Sequence, residues 1–79
     1  MAASGGVQGR GLAFNSSTGH VFVANPEDGT VSVVDGASAR ILTTLTVGRW
    51  PNRIAVNPNT NRVYVTNRDD GSLSVIEDR

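Results

Sequence analysis

The chain carries nearly the same line twice. Shifted by 42 positions, residues 12–35 fall on residues 54–77 without a gap. Ala13, Asn15, Thr18, Val21, Val23, Asn25, Asp28, Gly29, Ser32 and Val33 meet identical residues at positions 55, 57, 60, 63, 65, 67, 70, 71, 74 and 75. Most other pairs are conservative: Leu12 with Ile54, Phe22 with Tyr64, Val31 with Leu73, Val34 with Ile76. A repeat at this period means that each copy is one supersecondary unit, stable only when a neighbour covers it. In a chain of 79 residues, that leaves room for one small domain and no second core.

One copy reads as strands and turns. The run NRIAVN (52–57) precedes the turn residues PNTN, and RVYVTN (62–67) is rich in β-branched and aromatic side chains. RDDG then closes a hairpin in which Gly71 supplies the left-handed residue. SLSVIED (72–78) is a third run, and RILTTLTV (40–47) provides a fourth strand in the first copy. No window shows a helical period, so the class is all-β. In VFVA and VYVT successive residues point to opposite sides, yet both sides are largely apolar. A sheet solvated on one face would alternate cleanly, so these sheets are built to be covered twice.

Four strands in about 42 residues is the size of one β-propeller blade. The expectation is two consecutive four-stranded antiparallel blades, residues 6–47 and 48–79, the second lacking its outer strand. The string VYVTN (63–67), with PNRIAVNP, DGSLSVIED and TVG around it, resembles the YVTN β-propeller repeat, and VFVAN is its variant in the first copy. The resemblance covers roughly residues 6–78 and implies a binding or scaffolding role, with an extracytoplasmic or surface location. Closed propellers have about four to eight blades. Two copies therefore imply a partial propeller: either a piece of a longer chain, or a building block that self-associates into a ring.

Composition removes several function classes. Seven basic residues, all Arg, balance seven acids, so net charge gives little drive toward nucleic acid or an anionic membrane. No apolar run exceeds four residues, too short to span a bilayer. Without cysteine there is neither a disulfide framework nor a thiolate metal site.

By analogy with propellers, the segments GRWPNR (48–53), NPEDG (25–29) and NRDDG (67–71) share one rim. Arg49, Trp50, Asn52, Arg53, Arg68 and Asp69, with Asp70, are the candidate ligand-binding residues. An aromatic among arginines suits an anionic or planar ligand, through stacking and bidentate hydrogen bonds. The bland alternative packs Trp50 beneath the linker, with Pro51 stiffening the next strand. The acids of EDG and DDG read as turn chemistry, since calcium needs six to eight oxygens. His20 has no second His and no Cys to join it in a metal site, and Arg62 takes its place in the second copy. Asn15-Ser16-Ser17 fits a glycosylation acceptor but lies where the second copy has an ordinary turn. Asn25 and Asn67, present in both copies, read as structural corner residues.

No catalytic residue, metal ligand or cofactor site is assigned. The sequence favours a non-catalytic module that binds a small molecule or protein, or scaffolds. The alternative is part of a propeller enzyme or redox protein whose site other blades, a metal or a cofactor would complete.

Overall fold

The computed structural model describes residues 11–78, all-β, as seven antiparallel strands in two sheets. The first sheet runs β1 (Leu12–Asn15), β2 (His20–Asn25), β3 (Thr30–Asp35) and β4 (Arg40–Thr46), in that order. The second runs β5 (Pro51–Asn57), β6 (Arg62–Asn67) and β7 (Ser72–Glu77). Residues 6–10, expected to open the first unit, lie outside the described residues, as does Arg79. Each strand is joined to its sheet neighbour by a short turn. Gly29 and Gly71 take the left-handed conformation, at φ 67° and 65°, where the second and third strands of each copy meet.

The register repeats with the sequence. Leu12 pairs with Val23, Ala13 with Phe22 and Phe14 with Val21, as Ile54 pairs with Val65, Ala55 with Tyr64 and Val56 with Val63. Val21, Phe22, Val23 and Ala24 oppose Val34, Val33, Ser32 and Val31, matching Val63, Tyr64, Val65 and Thr66 against Ile76, Val75, Ser74 and Leu73. A bulge between Val33 and Val34 shifts the pairing with β4, so that Val33 opposes Thr43 while Val34 opposes Ile41.

Because side chains alternate across a strand, each sheet has two faces. Phe22, Val31 and Val33 of the first sheet meet Val63 and Val65 of the second in one buried cluster, with Leu45, Val47, Ile54, Val56 and Ile76 packed around it. The sheets draw together along β5, whose Cα atoms come within 8 Å of those in β1 and β2. Ala13 on β1 and Ala24 on β2 are the small residues of the first sheet on the face toward the second, with Gly11 just before β1. From that line the sheets diverge, leaving a wedge between β4 and β7 lined by Leu42, Thr43, Leu45, Ile76 and the His20 ring.

A buried polar clamp closes one end of the stack. Asp78 Oδ2 accepts from Thr18 Oγ1 at 2.6 Å and Asn15 Nδ2 at 2.9 Å, and its Oδ1 lies 2.7 Å from His20 Nδ1. An ionised carboxylate only accepts, so the His20 Nδ1 carries the proton. Asn15 Nδ2 also reaches Asn61 Oδ1, Asp78 N–H donates to Asn61 O, and Ser17 Oγ donates to Pro58 O. Asn15 is fully buried, and its Oδ1 accepts from Ser17 N–H. This is a turn and clamp residue, closed to a glycan.

Burial pushes the Asp78 carboxyl up, but hydrogen bonds from Thr18, His20 and Asn15 outweigh it and hold the group below its ordinary value. A carboxyl depressed in the folded state adds stability above its unfolded pKa and loses it as pH falls through the folded one. The stability of the chain should therefore be level through neutral pH and decline below about pH 4. Asp78→Ala should lower the unfolding free energy at neutral pH by about 1–3 kcal/mol, since it strands three donors. Urea titrations across the acid range would check both, and an acid decline equally steep in the variant would show that another group carries the linkage.

Candidate functional site

The opposite end of the stack gathers three segments. The β2–β3 corner is a single 3-10 turn, Pro26–Asp28, ended by Gly29, and the β6–β7 corner runs through Arg68–Gly71. Between them passes the inter-sheet linker Val47–Trp50. It is fastened to both sheets: Val47 N–H donates to Gly29 O, while Arg68 and Asp69 N–H donate to Trp50 O and Arg49 O.

Asn67, almost wholly buried, organises this end. Its Oδ1 accepts from Gly48 N–H at 3.1 Å, and its Nδ2 lies within donating distance of Ser72 O, Ser72 Oγ and Ser74 Oγ. Asn25 does the same in the first copy, donating to Thr30 Oγ1 and Ser32 Oγ. Both asparagines are corner residues, and most of their partners are hydroxyls rather than backbone. Asp70 fixes the next residues: its Oδ2 accepts from Arg49 N–H and its Oδ1 from Ser72 Oγ and N–H. The Ser72 hydroxyl, then the Arg49 amide, hold its carboxyl below the usual value.

Trp50 stands in the left-handed region at φ 56°, costly for a bulky aromatic. Its carbonyl is held by Arg68 N–H, and the Arg68 guanidinium carbon sits 5.1 Å from the indole centroid. That is a cation–π contact. Arg68 Nε also donates to Asp69 Oδ1 at 3.0 Å across a largely exposed pair.

The result is an open groove of about 490 Å³, lined by Pro26–Gly29, Thr46–Trp50, Asp69 and Asp70. Of the residues singled out from sequence, the structure brings Arg49, Trp50, Asp69 and Asp70 together here, with Arg68 over the indole. Asn52 and Arg53 belong instead to β5, where Asn52 Oδ1 accepts from Thr66 Oγ1 and Arg53 pairs with Thr66 across the ladder. Glu27 and Asp28 join the lining from the first sheet, on the NPEDG segment that the sequence places at this rim. Four acids against Arg49 and the overlying Arg68 make the groove acidic on balance.

The wedge near the clamp forms another concavity, about 320 Å³, with His20, Glu77 and Asp78 at its polar edge. Both Asp78 oxygens are taken by first-sheet side chains, so this pair serves as a fastening. Among the described residues no group of three His, Cys, Asp or Glu side chains is placed to hold a metal ion, and no helix is long and apolar enough to cross a membrane. No family model matches the chain, and neither does any curated protein.

Gly48 is the residue on which the groove depends. A Cβ there would stand 2.7 Å from Asn67 Cγ and 2.8 Å from Ser72 Oγ. Gly48→Ala should therefore force the linker off Asn67 and cost about 1–3 kcal/mol. Trp50, the one tryptophan, should report the shift in its emission spectrum. Unchanged emission and stability would mean that Asn67 yields to the methyl without moving the linker.

Proposed function

We propose that this chain is a non-catalytic module of β-propeller type, related to the YVTN repeat, that binds through its rim and presents its sheet faces for assembly. The observation that carries the reading is the strand register. Two sheets share one pairing scheme under the 42-residue shift, stacked so that they approach at β1 and β5 and splay outward. Sheets set radially about an axis have this arrangement, and the linker between them crosses one rim with the second-to-third-strand corners.

The rim groove is the ligand seat. Gly29, Gly48 and Trp50 are among its lining residues, and its charged lining residues are mostly acids. Arg68 is engaged by Asp69 and by the indole, which leaves the balance of charge unfavourable for an anion. The chemistry suits a planar group bearing positive charge or several donors, such as an arginine side chain of a partner protein. Trp50 emission should change saturably with benzamidine at millimolar concentration, and Glu27→Gln with Asp28→Asn should weaken that response several-fold. A flat titration, or equal affinity for p-hydroxybenzoate, would sink the groove as a cation seat.

A further inference from the structure

We propose that a second copy of this chain packs head-to-tail on the first, with the outward face of one copy's second sheet lying on the outward face of the other copy's first sheet. The inference rests on the repeat-module reading and names its partner.

Inside the chain, the face of the first sheet bearing Ala13, Phe22, Ala24, Val31 and Val33 packs on the face of the second bearing Ile54, Val56, Val63, Val65 and Ile76. Add 42 to the first set and it becomes Ala55, Tyr64, Thr66, Leu73 and Val75, the outward face of the second sheet. Subtract 42 from the second set and it becomes Leu12, Phe14, Val21, Val23 and Val34, the outward face of the first. Each outward face is thus the repeat image of a face already packed inside, and the two images are the two halves of one interface.

Exposure marks the same difference. Val31 is fully buried and Val56 partly buried, whereas Leu73 and Phe14, which stand at their positions in the other copy, are 57% and 56% exposed. Ile41, beside Val34 on the outward face, is 65% exposed, and Val75 is 53% exposed. Two apolar faces on one small chain are more than isolated surface residues amount to. A copy of this chain offers each face the partner shape that the internal stack already uses.

The clamp does not recur: Gly36 stands at Asp78's position and Arg62 at His20's. The contact between copies is therefore the looser of the two junctions. It is also heterologous, so it adds copies in one direction until a ring closes.

The test uses the full chain and two exposed substitutions. Phe14→Glu blocks the first-sheet face, and Val75→Lys blocks the second-sheet face. Each unpaired charge should weaken the contact by roughly a hundredfold or more. Analytical ultracentrifugation should show the unaltered chain associated and each variant alone monomeric. Mixed in equal amounts, the two should form a one-to-one dimer that grows no further, since one sound face of each kind remains. A monomeric parent chain at high concentration, association of either variant by itself, or no dimer in the mixture would each overturn the proposal. Circular dichroism checks that the variants fold, and Ile41→Lys with Leu73→Glu replaces any that does not. A folded, monomeric parent that still bound benzamidine at Trp50 would refute the assembly and leave the binding module standing.

Discussion

Everything in this molecule follows from sheets with two apolar faces. A strand sends alternate side chains to opposite sides, and one sheet in water normally keeps a polar side outward. Here Val63 and Val65 point one way while Tyr64 points the other, and Val21 and Val23 oppose Phe22 in the same manner. Two such sheets can cover only one face of each. The 42-residue repeat makes the surplus orderly, because the uncovered faces are the two complementary ones rather than two of a kind.

Stacking alone does not specify how two sheets sit, since apolar contact is non-directional. The two ends of the stack supply the direction. At one end Asp78 takes up hydroxyl, amide and imidazole donors from the first sheet, and at the other Asn67 and Asp70 hold the linker by the Gly48 and Arg49 amides. Buried groups of this kind are costly unless all are satisfied, and among the described residues no buried side-chain polar atom lacks a partner. A sliding or rotated stack would strand them, so they select the one arrangement in which the apolar faces also meet.

Strands, turns and the gathering of three loops at one rim were legible in the sequence because they depend on local pattern and on the repeat. The bounds expected for the strand at 62–67 are those observed, and Gly71 has the left-handed backbone that its hairpin required. The clamp was not legible, because His20 and Asp78 are 58 residues apart and no local rule pairs them. A trace of it was present in the places where the copies disagree, His20 against Arg62 and Asp78 against Gly36. The charge balance of the rim was harder to read: the sequence places NPEDG there but its acids read as turn chemistry, and the structure lines the groove with Glu27 and Asp28 beside Asp69 and Asp70.

The repeat itself separates what the fold needs twice from what it needs once. Asn25 and Asn67, Gly29 and Gly71, Ser32 and Ser74 recur and do the same work in each sheet. The residues that differ lie where the sheets meet each other: His20 and Asp78 at the clamp, and Phe14 and Leu73 in place of valines on the uncovered faces. If the junctions were interchangeable, neighbouring sheets could join in any order, so a clamp found at one junction alone gives the pair its identity as a unit. The larger side chains on the outward faces, Phe14 and Leu73, then suit the contact between copies proposed above.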